Sequence, residues 1–198
     1  MRFILALGTL LLVSGCTTIV PLPSSQTSDP GLPLLQPLVT PGQPPASDGM
    51  VVTLRPIEIP DYLNRDEQVR RLEPGHTITL QDNPSWGESL SRGINRVIQV
   101  NLAHLLKSAR VVRDDSYRHH PQGVTLKTEL FRLEPVGDKV VLEARWHIFK
   151  KRTQPPLLSR WYRHKQPMAG QSATATLSAA LGAMNRAQAE DLKEITQK

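Results

Sequence analysis

One thiol and six imidazoles are the groups on this 198-residue chain best suited to chemistry. Neither set reads as an active centre. His119 and His120 are adjacent, so on a strand they point to opposite faces and form no ready ligand pair. Asp114 and Asp115 stand near enough to add oxygen ligands, but Asp-Asp-Ser-Tyr-Arg-His-His is more simply a polar loop. His147 and His164 fall on strands as solvated or core-edge residues. The sequence contains no His-Glu-x-x-His, no Gly-x-Ser-x-Gly and no phosphate-cradling glycine loop. Gly170-Gln171-Ser172 lacks the second glycine of a nucleophile elbow, and Ser172 is better placed to start a helix. The chain therefore reads as non-catalytic, with no cofactor and no metal.

The thiol is Cys16, the only cysteine, so no intramolecular disulfide or cysteine-built metal site can form. Its setting gives it a different chemistry. Met1-Arg2 is a short positive start, and residues 3–13 form an apolar run of eleven. That is too short to span a bilayer but suits the h-region of a secretory signal. Val13-Ser14-Gly15-Cys16 then resembles the bacterial lipobox, in which the thiol is acylated and the peptide is cut before it. Residues 1–15 are thus expected to be a lipoprotein signal peptide and Cys16 the lipid attachment site. Two or three acyl chains exceed what stable membrane anchoring needs. Thr17 follows where an aspartate would retain an enterobacterial lipoprotein in the inner membrane, so the outer membrane is the expected location, with the domain facing the periplasm.

Residues 16–50 read as the lipidated cysteine and a proline-rich disordered linker. Eight of the 17 prolines lie in this stretch, which holds no Lys, Arg or aromatic residue. Proline removes donors and fixes φ, so neither helix nor sheet propagates. About 35 such residues would reach roughly 100 Å as extended polyproline II. The stretch reads as a spacer, with Leu32, Leu34 and Leu35 as the residues to test for a docking role.

Residues 51–198 must supply the fold. Hydrophobic residues make up 39% of the chain and aromatics 5%, which suits a soluble domain without an aromatic platform for bases or sugars. Residues 50–59 are β-rich, with Pro56 marking a strand end or edge. Asp61 is placed to cap a turn through Tyr62-Leu63-Asn64. Residues 68–72 and 76–80 look like short strands joined by a type II turn at Glu73-Pro74-Gly75-His76. Ser85-Trp86-Gly87-Glu88 has the pattern of a capping box. Behind it, Leu90, Ile94, Val97, Ile98, Leu102 and Leu105 recur at helical spacing. Residues 110–113 suit a short strand. Residues 124–133 and 139–149 form the clearest hairpin, turning at Gly137-Asp138, with Val140, Leu142, Ala144, Trp146 and Ile148 on one face. A strand over 157–164 and a helix over 171–195 follow, the helix striped by Leu177, Ala180, Leu181, Met184 and Ala187. The expectation is α/β: a mixed β-sheet with two main helices packed on it, one domain behind a disordered lipoprotein tether.

The net charge is +6. Lys150, Lys151, Arg152, Arg160, Arg163 and Lys165 concentrate it near the last strands. This is either a solvated strand face or a contact for an acidic partner or lipid head groups. Nucleic acid is excluded as a partner by the expected compartment, not by the charge.

Ile59-Pro60-Asp61-Tyr62-Leu63-Asn64-Arg65, then Val69 and Arg71, then Trp86, Glu88 and Leu90 opening a long helix, resemble the PqiC-type lipoproteins. These are the auxiliary lipoprotein component of paraquat-inducible and related ABC-type intermembrane transport systems. Asn64 stands where an aspartate is common, and Asp66-Glu67-Gln68 departs from the usual stretch. The resemblance implies an α/β layer with a mixed sheet, similar to anticodon-binding-like and TolB N-terminal-like domains. It implies a non-catalytic partner of an MCE-domain periplasmic protein and of that protein's inner-membrane partner, and it leaves association of several copies open. Tyr62 and Arg65 are the candidate partner-binding residues, tyrosine and arginine being common interface anchors. The competing role for 60–65 is a local cap, with Tyr62 and Leu63 tucked into the core and Arg65 paired with an acid. The competing function is a structural or assembly lipoprotein docking on cell wall or another envelope complex.

Overall fold

The computed structural model describes residues 31–40, 42, 49–65, 67–72, 77–80, 85–107, 109–113, 123–150 and 155–197. The chain divides into two units, Met1–Gly31 and Leu32–Lys198. The second carries every element described below. In order these are β1 (Val51–Leu54), a 3-10 turn (Asp61–Leu63), β2 (Val69–Leu72), β3 (Thr77–Leu80), α1 (Leu90–Leu105), β4 (Arg110–Arg113), β5 (Gly123–Val136), β6 (Lys139–Phe149), β7 (Leu158–Pro167) and α2 (Ala173–Gln197).

The seven strands form one mixed sheet. β5 is its spine. Along one edge it pairs antiparallel with β6, which pairs antiparallel with the edge strand β7. Its other edge takes β1 in parallel at the start and β2 in parallel at Val136, with β4 beyond β1 and β3 beyond β2. β1 ends at Leu54, two residues before Pro56, as a residue without an N–H requires. At the β5–β6 turn Gly137 takes φ +60°, and a II′ hairpin needs glycine at that first position.

The hydrophobic period decides which face is covered. Val140, Leu142, Ala144, Trp146 and Ile148 are all 0% exposed. α2 packs over β5, β6 and β7, and α1 packs against α2 and β4. Leu90, Ile94, Val97, Ile98 and Leu102 of α1 are buried, as are Leu177, Ala180, Leu181 and Met184 of α2. Both helices thus present the stripes their sequences carry.

Three local expectations change. The N-cap of α1 is Ser89, without a side-chain cap bond; Glu88 instead receives the Arg96 Nε–H at 3.0 Å, so there is no capping box. Asp61 lies inside its 3-10 turn and makes no cap bond; the turn closes through Leu63 N–H donating to the Pro60 carbonyl at 2.9 Å. The linker is shorter than 16–50. The Gly87 N–H donates to the Pro33 carbonyl at 3.1 Å, and Arg96 donates to the Leu35 carbonyl at 2.8 Å. Gln36 N–H donates to Ser178 Oγ at 2.9 Å and Leu38 N–H to Asn101 Oδ1 at 2.7 Å. Leu35 itself is buried. Proline richness prevents helix and ladder, but an extended strand can still be bound by side chains. Residues 32–39 are such a strap over α1 and α2, so the folded unit begins at Leu32. Leu35 is spent inside this unit, while Leu32 and Leu34 stay exposed. The Glu73-Pro74-Gly75-His76 turn lies outside the described residues.

Behind the strap runs a buried amide relay. Asn101 Nδ2–H donates to Asn185 Oδ1 at 2.8 Å, Asn185 Nδ2–H to Gln188 Oε1 at 2.9 Å, and Gln188 Nε2–H to Thr128 Oγ1 at 3.0 Å. It links strap, α1, α2 and β5 through the core, and each member satisfies the next.

Gly123 opens β5 where a Cβ would lie 2.4 Å from the Val51 carbonyl oxygen. Backbone cannot yield as a side-chain tip can. Gly123→Ala is expected to cost about 1–3 kcal/mol, measured by urea unfolding.

Candidate functional site

The outer face of the sheet, opposite the helices, carries the charged residues of β5 and β6 together with Arg163 and Lys165 of β7. Lys127 Nζ bridges Glu58 and Glu129, each at 2.9 Å. Arg145 Nε–H donates to Glu129 at 2.9 Å. Arg163 pairs with Glu143 at 3.0 Å, and Arg132 reaches Glu143 at 3.5 Å. Burial pushes the Glu129 carboxyl up, but the hydrogen bonds from Lys127 and Arg145 outweigh it and hold it below the ordinary carboxylate range. Its partners, chiefly Glu129 and then Glu58, raise Lys127.

Within this lattice sits an aromatic pair. The β5–β6 register shifts between Leu130 and Arg132, leaving Phe131 as the extra residue of a bulge. Its ring stacks on Trp161 with centroids 4.8 Å apart, and the Arg145 guanidinium lies 5.6 Å from the Phe131 centroid. Trp161 remains 54% exposed. Sequence reasoning missed this pair. The signal was the three-residue spacing of the inward Leu130 and Leu133, which breaks the two-residue period and marks a bulge.

The second cluster gathers family-pattern residues. Glu134 is fully buried and its Oε1 takes both Arg71 and, at 3.0 Å, Arg132. Its Oε2 has no hydrogen-bond partner among the described residues. The Arg71 guanidinium lies 5.7 Å from the Tyr62 ring centroid, and Tyr62 O–H donates to the Phe131 carbonyl at 3.3 Å. Burial, followed by the nearby Glu134 carboxylate, pushes the Tyr62 phenol far above its usual range. The hydrogen bond to Glu134 raises Arg71 against the cost of burial.

The two candidate partner-binding residues therefore separate. Tyr62 is half-buried and committed to the Arg71–Glu134 cluster, whereas Arg65 is exposed and has no ion-pair partner among the described residues. Leu63 is buried as expected. Ser172 starts α2, its Oγ accepting the Ala175 N–H at 3.2 Å. His147 Nδ1 meets Ser159 Oγ at 2.7 Å, and His164 Nε2 meets Gln166 at 3.1 Å. Among the described residues no three His, Cys, Asp or Glu side chains group to hold a metal. Cys16, Asp114, Asp115, His119, His120, Lys151 and Arg152 lie outside the described residues.

On the helix side, Trp146 Nε1–H donates to Asp191 at 2.9 Å and Arg160 pairs with the same carboxylate at 2.8 Å. Burial raises the Asp191 carboxyl, with Trp146 and then Arg160 opposing it.

This build defines an α/β layer domain with one helix-covered face and one open, ion-paired face. The chain belongs to the ABC-type transport auxiliary lipoprotein component family, whose model matches residues 33–193. The match begins at the strap, not at β1. No curated protein matches the sequence. Among solved structures, an uncharacterized protein aligns with a TM-score of 0.63 at 16% identity, over 76% of this chain and 95% of that one. A protein from Xanthomonas campestris aligns with a TM-score of 0.66 at 12% identity, over 85% of this chain and 99% of that one. At these identities the likeness is one of fold.

Proposed function

We propose that this chain is a non-catalytic lipoprotein of the bacterial outer membrane, anchored through Cys16. In this reading it binds and fixes the periplasmic bridge protein of an MCE-type lipid transport system. The observation that carries the reading is the family match across 33–193, which makes it an auxiliary component of an ABC-type transport system. The lipobox-like Val13-Ser14-Gly15-Cys16 supports the anchor, and Thr17 supports the outer membrane. The strap revises the tether. Only fifteen residues lie between Cys16 and Leu32, a reach of about 50 Å fully extended and roughly 20–25 Å as a coil.

The test is crosslinking and affinity purification of a tagged chain from envelopes that contain the MCE protein encoded beside it. Recovery of that protein in crosslinked complexes is the expected result. Complexes that never contain it, with the lipoprotein present, favour the structural-lipoprotein alternative. Cys16→Ala is expected to abolish lipid labelling and release the chain from the membrane fraction. Unchanged labelling would sink the anchor.

A further inference from the structure

We propose that the outer face around Trp161 is a docking surface for anionic lipid head groups. The proposal rests on the Cys16 anchor above. Its first observation is charge placement. Residues 139–167 carry eight Lys and Arg against one acid, Glu143, while the rest of the chain carries sixteen against seventeen. Four of the eight, Lys139, Arg145, Arg163 and Lys165, fall on the outer face, against Glu143 of the same two strands.

The second observation is which of these cations are free to act outward. Arg145, Arg160 and Arg163 are paired with Glu129, Asp191 and Glu143. Lys139 and Lys165 have no ion-pair partner among the described residues. Lys139 stands opposite Pro167, and Lys165 stands opposite Val141. That register makes the two lysines diagonal neighbours on the outer face. Trp161 lies on the same face four residues before Lys165. Its ring is backed by Phe131 and open on its other side.

A half-exposed tryptophan at one end of a strand face, with Lys165 about 13 Å and Lys139 about 20 Å further along the same face, suits a diffuse negative plane broad enough to meet all three. The indole sits at head-group level and the lysine stems lie along the surface with their ammonium groups in the phosphates. An acidic peptide is the other candidate for such charge, but it would have to find this face from solution. The bilayer is always present. Fifteen residues separate Cys16 from Leu32, so an acylated Cys16 limits the distance of the folded unit from that bilayer to the contour length of the segment, about 50 Å.

Tryptophan fluorescence gives a direct readout, because Trp86 and Trp146 are buried and Trp161 alone is open to a quencher. The acylated, processed chain from Cys16 onward is placed in phosphatidylcholine vesicles with or without phosphatidylglycerol, using brominated lipids as quencher. Quenching confined to the anionic vesicles and reversed in high salt is expected. Lys139→Glu/Lys165→Glu should weaken it at least about tenfold, and Trp161→Phe should silence it, with circular dichroism unchanged in both. Equal accessibility of Trp161 in both vesicle types, with acylation verified by mass, overturns the proposal. So does protection of Trp161 by polyglutamate but not by lipid, which assigns the face to an acidic protein. If mass finds no acyl chains, the anchor reading fails separately. The surface is then judged by co-sedimentation on the Cys16→Ala background. Preference of that chain for anionic vesicles, lost with the two lysine reversals, upholds it; no loss overturns it.

Discussion

Leu35→Ala is expected to lower the stability of the folded unit by about 2–5 kcal/mol, the range for truncating a buried leucine. In a unit of this size that is a fall of roughly 5–15 °C in the thermal midpoint. Leu35 is 1% exposed, and its own carbonyl is held by Arg96 at 2.8 Å. Its neighbours Gln36 and Leu38 are pinned by Ser178 and Asn101. The backbone therefore cannot slide to fill the cavity the substitution leaves. Leu32, three residues earlier and exposed, provides the control, with Leu32→Ala staying within about 0.5 kcal/mol of the parent. Deleting residues 32–40 should cost more than either, because it also strips the Leu38 N–H from the buried Asn101. Equal melting of the Leu35→Ala and parent chains would mean that the strap does not stay bound in solution and that the tether runs to residue 50.

The strap shows where sequence reading ends. The alternation in β6 and the stripes of α1 and α2 were legible because one buried face repeats at a fixed period. The β5–β6 turn was legible because Gly137 sits where a tight hairpin needs it. Residues 32–39 have no such period. Their fold is fixed from outside, by Ser178, Asn101 and Arg96, which are distant in sequence. Composition could only say that no helix or ladder forms there. Asn101 gave a faint sign, standing where an apolar residue is due in the Val97-Ile98-Leu102 stripe, and Asn185 and Gln188 do the same beside Met184. Polar residues at core positions imply a buried partner without saying which. The Tyr62 motif was found as a pattern, but its role depends on Glu134, more than seventy residues away, which alternation alone does not distinguish from a solvated strand glutamate.

That role is what Arg71→Met decides. We expect it to cost about 2–4 kcal/mol, somewhat below a fully orphaned buried charge because Arg132 stays on Glu134. Arg132 is itself shared with Glu143, and among the described residues Glu134 Oε2 has no partner to take up the loss. Adding Glu134→Leu to Arg71→Met should then recover most of the stability, since the carboxylate that needed the arginine is gone and an apolar side chain fills the site. The double-mutant cycle, read by urea unfolding, gives the coupling between the two. Tyr62 supplies an independent signal. Burial is the main cause of its raised phenol pKa, and Glu134 adds to it. In Glu134→Leu that phenol should titrate lower by alkaline spectrophotometry while staying above its ordinary value. A coupled pair makes Tyr62 and Arg71 part of the frame that holds the 3-10 turn on β5, and leaves Arg65 as the exposed motif residue to substitute in partner-binding assays. An Arg71→Met cost of about 0.5 kcal/mol or less, the level of an ordinary surface change, would instead mean a solvated cluster, with Tyr62 and Arg71 free to be contacted by a partner.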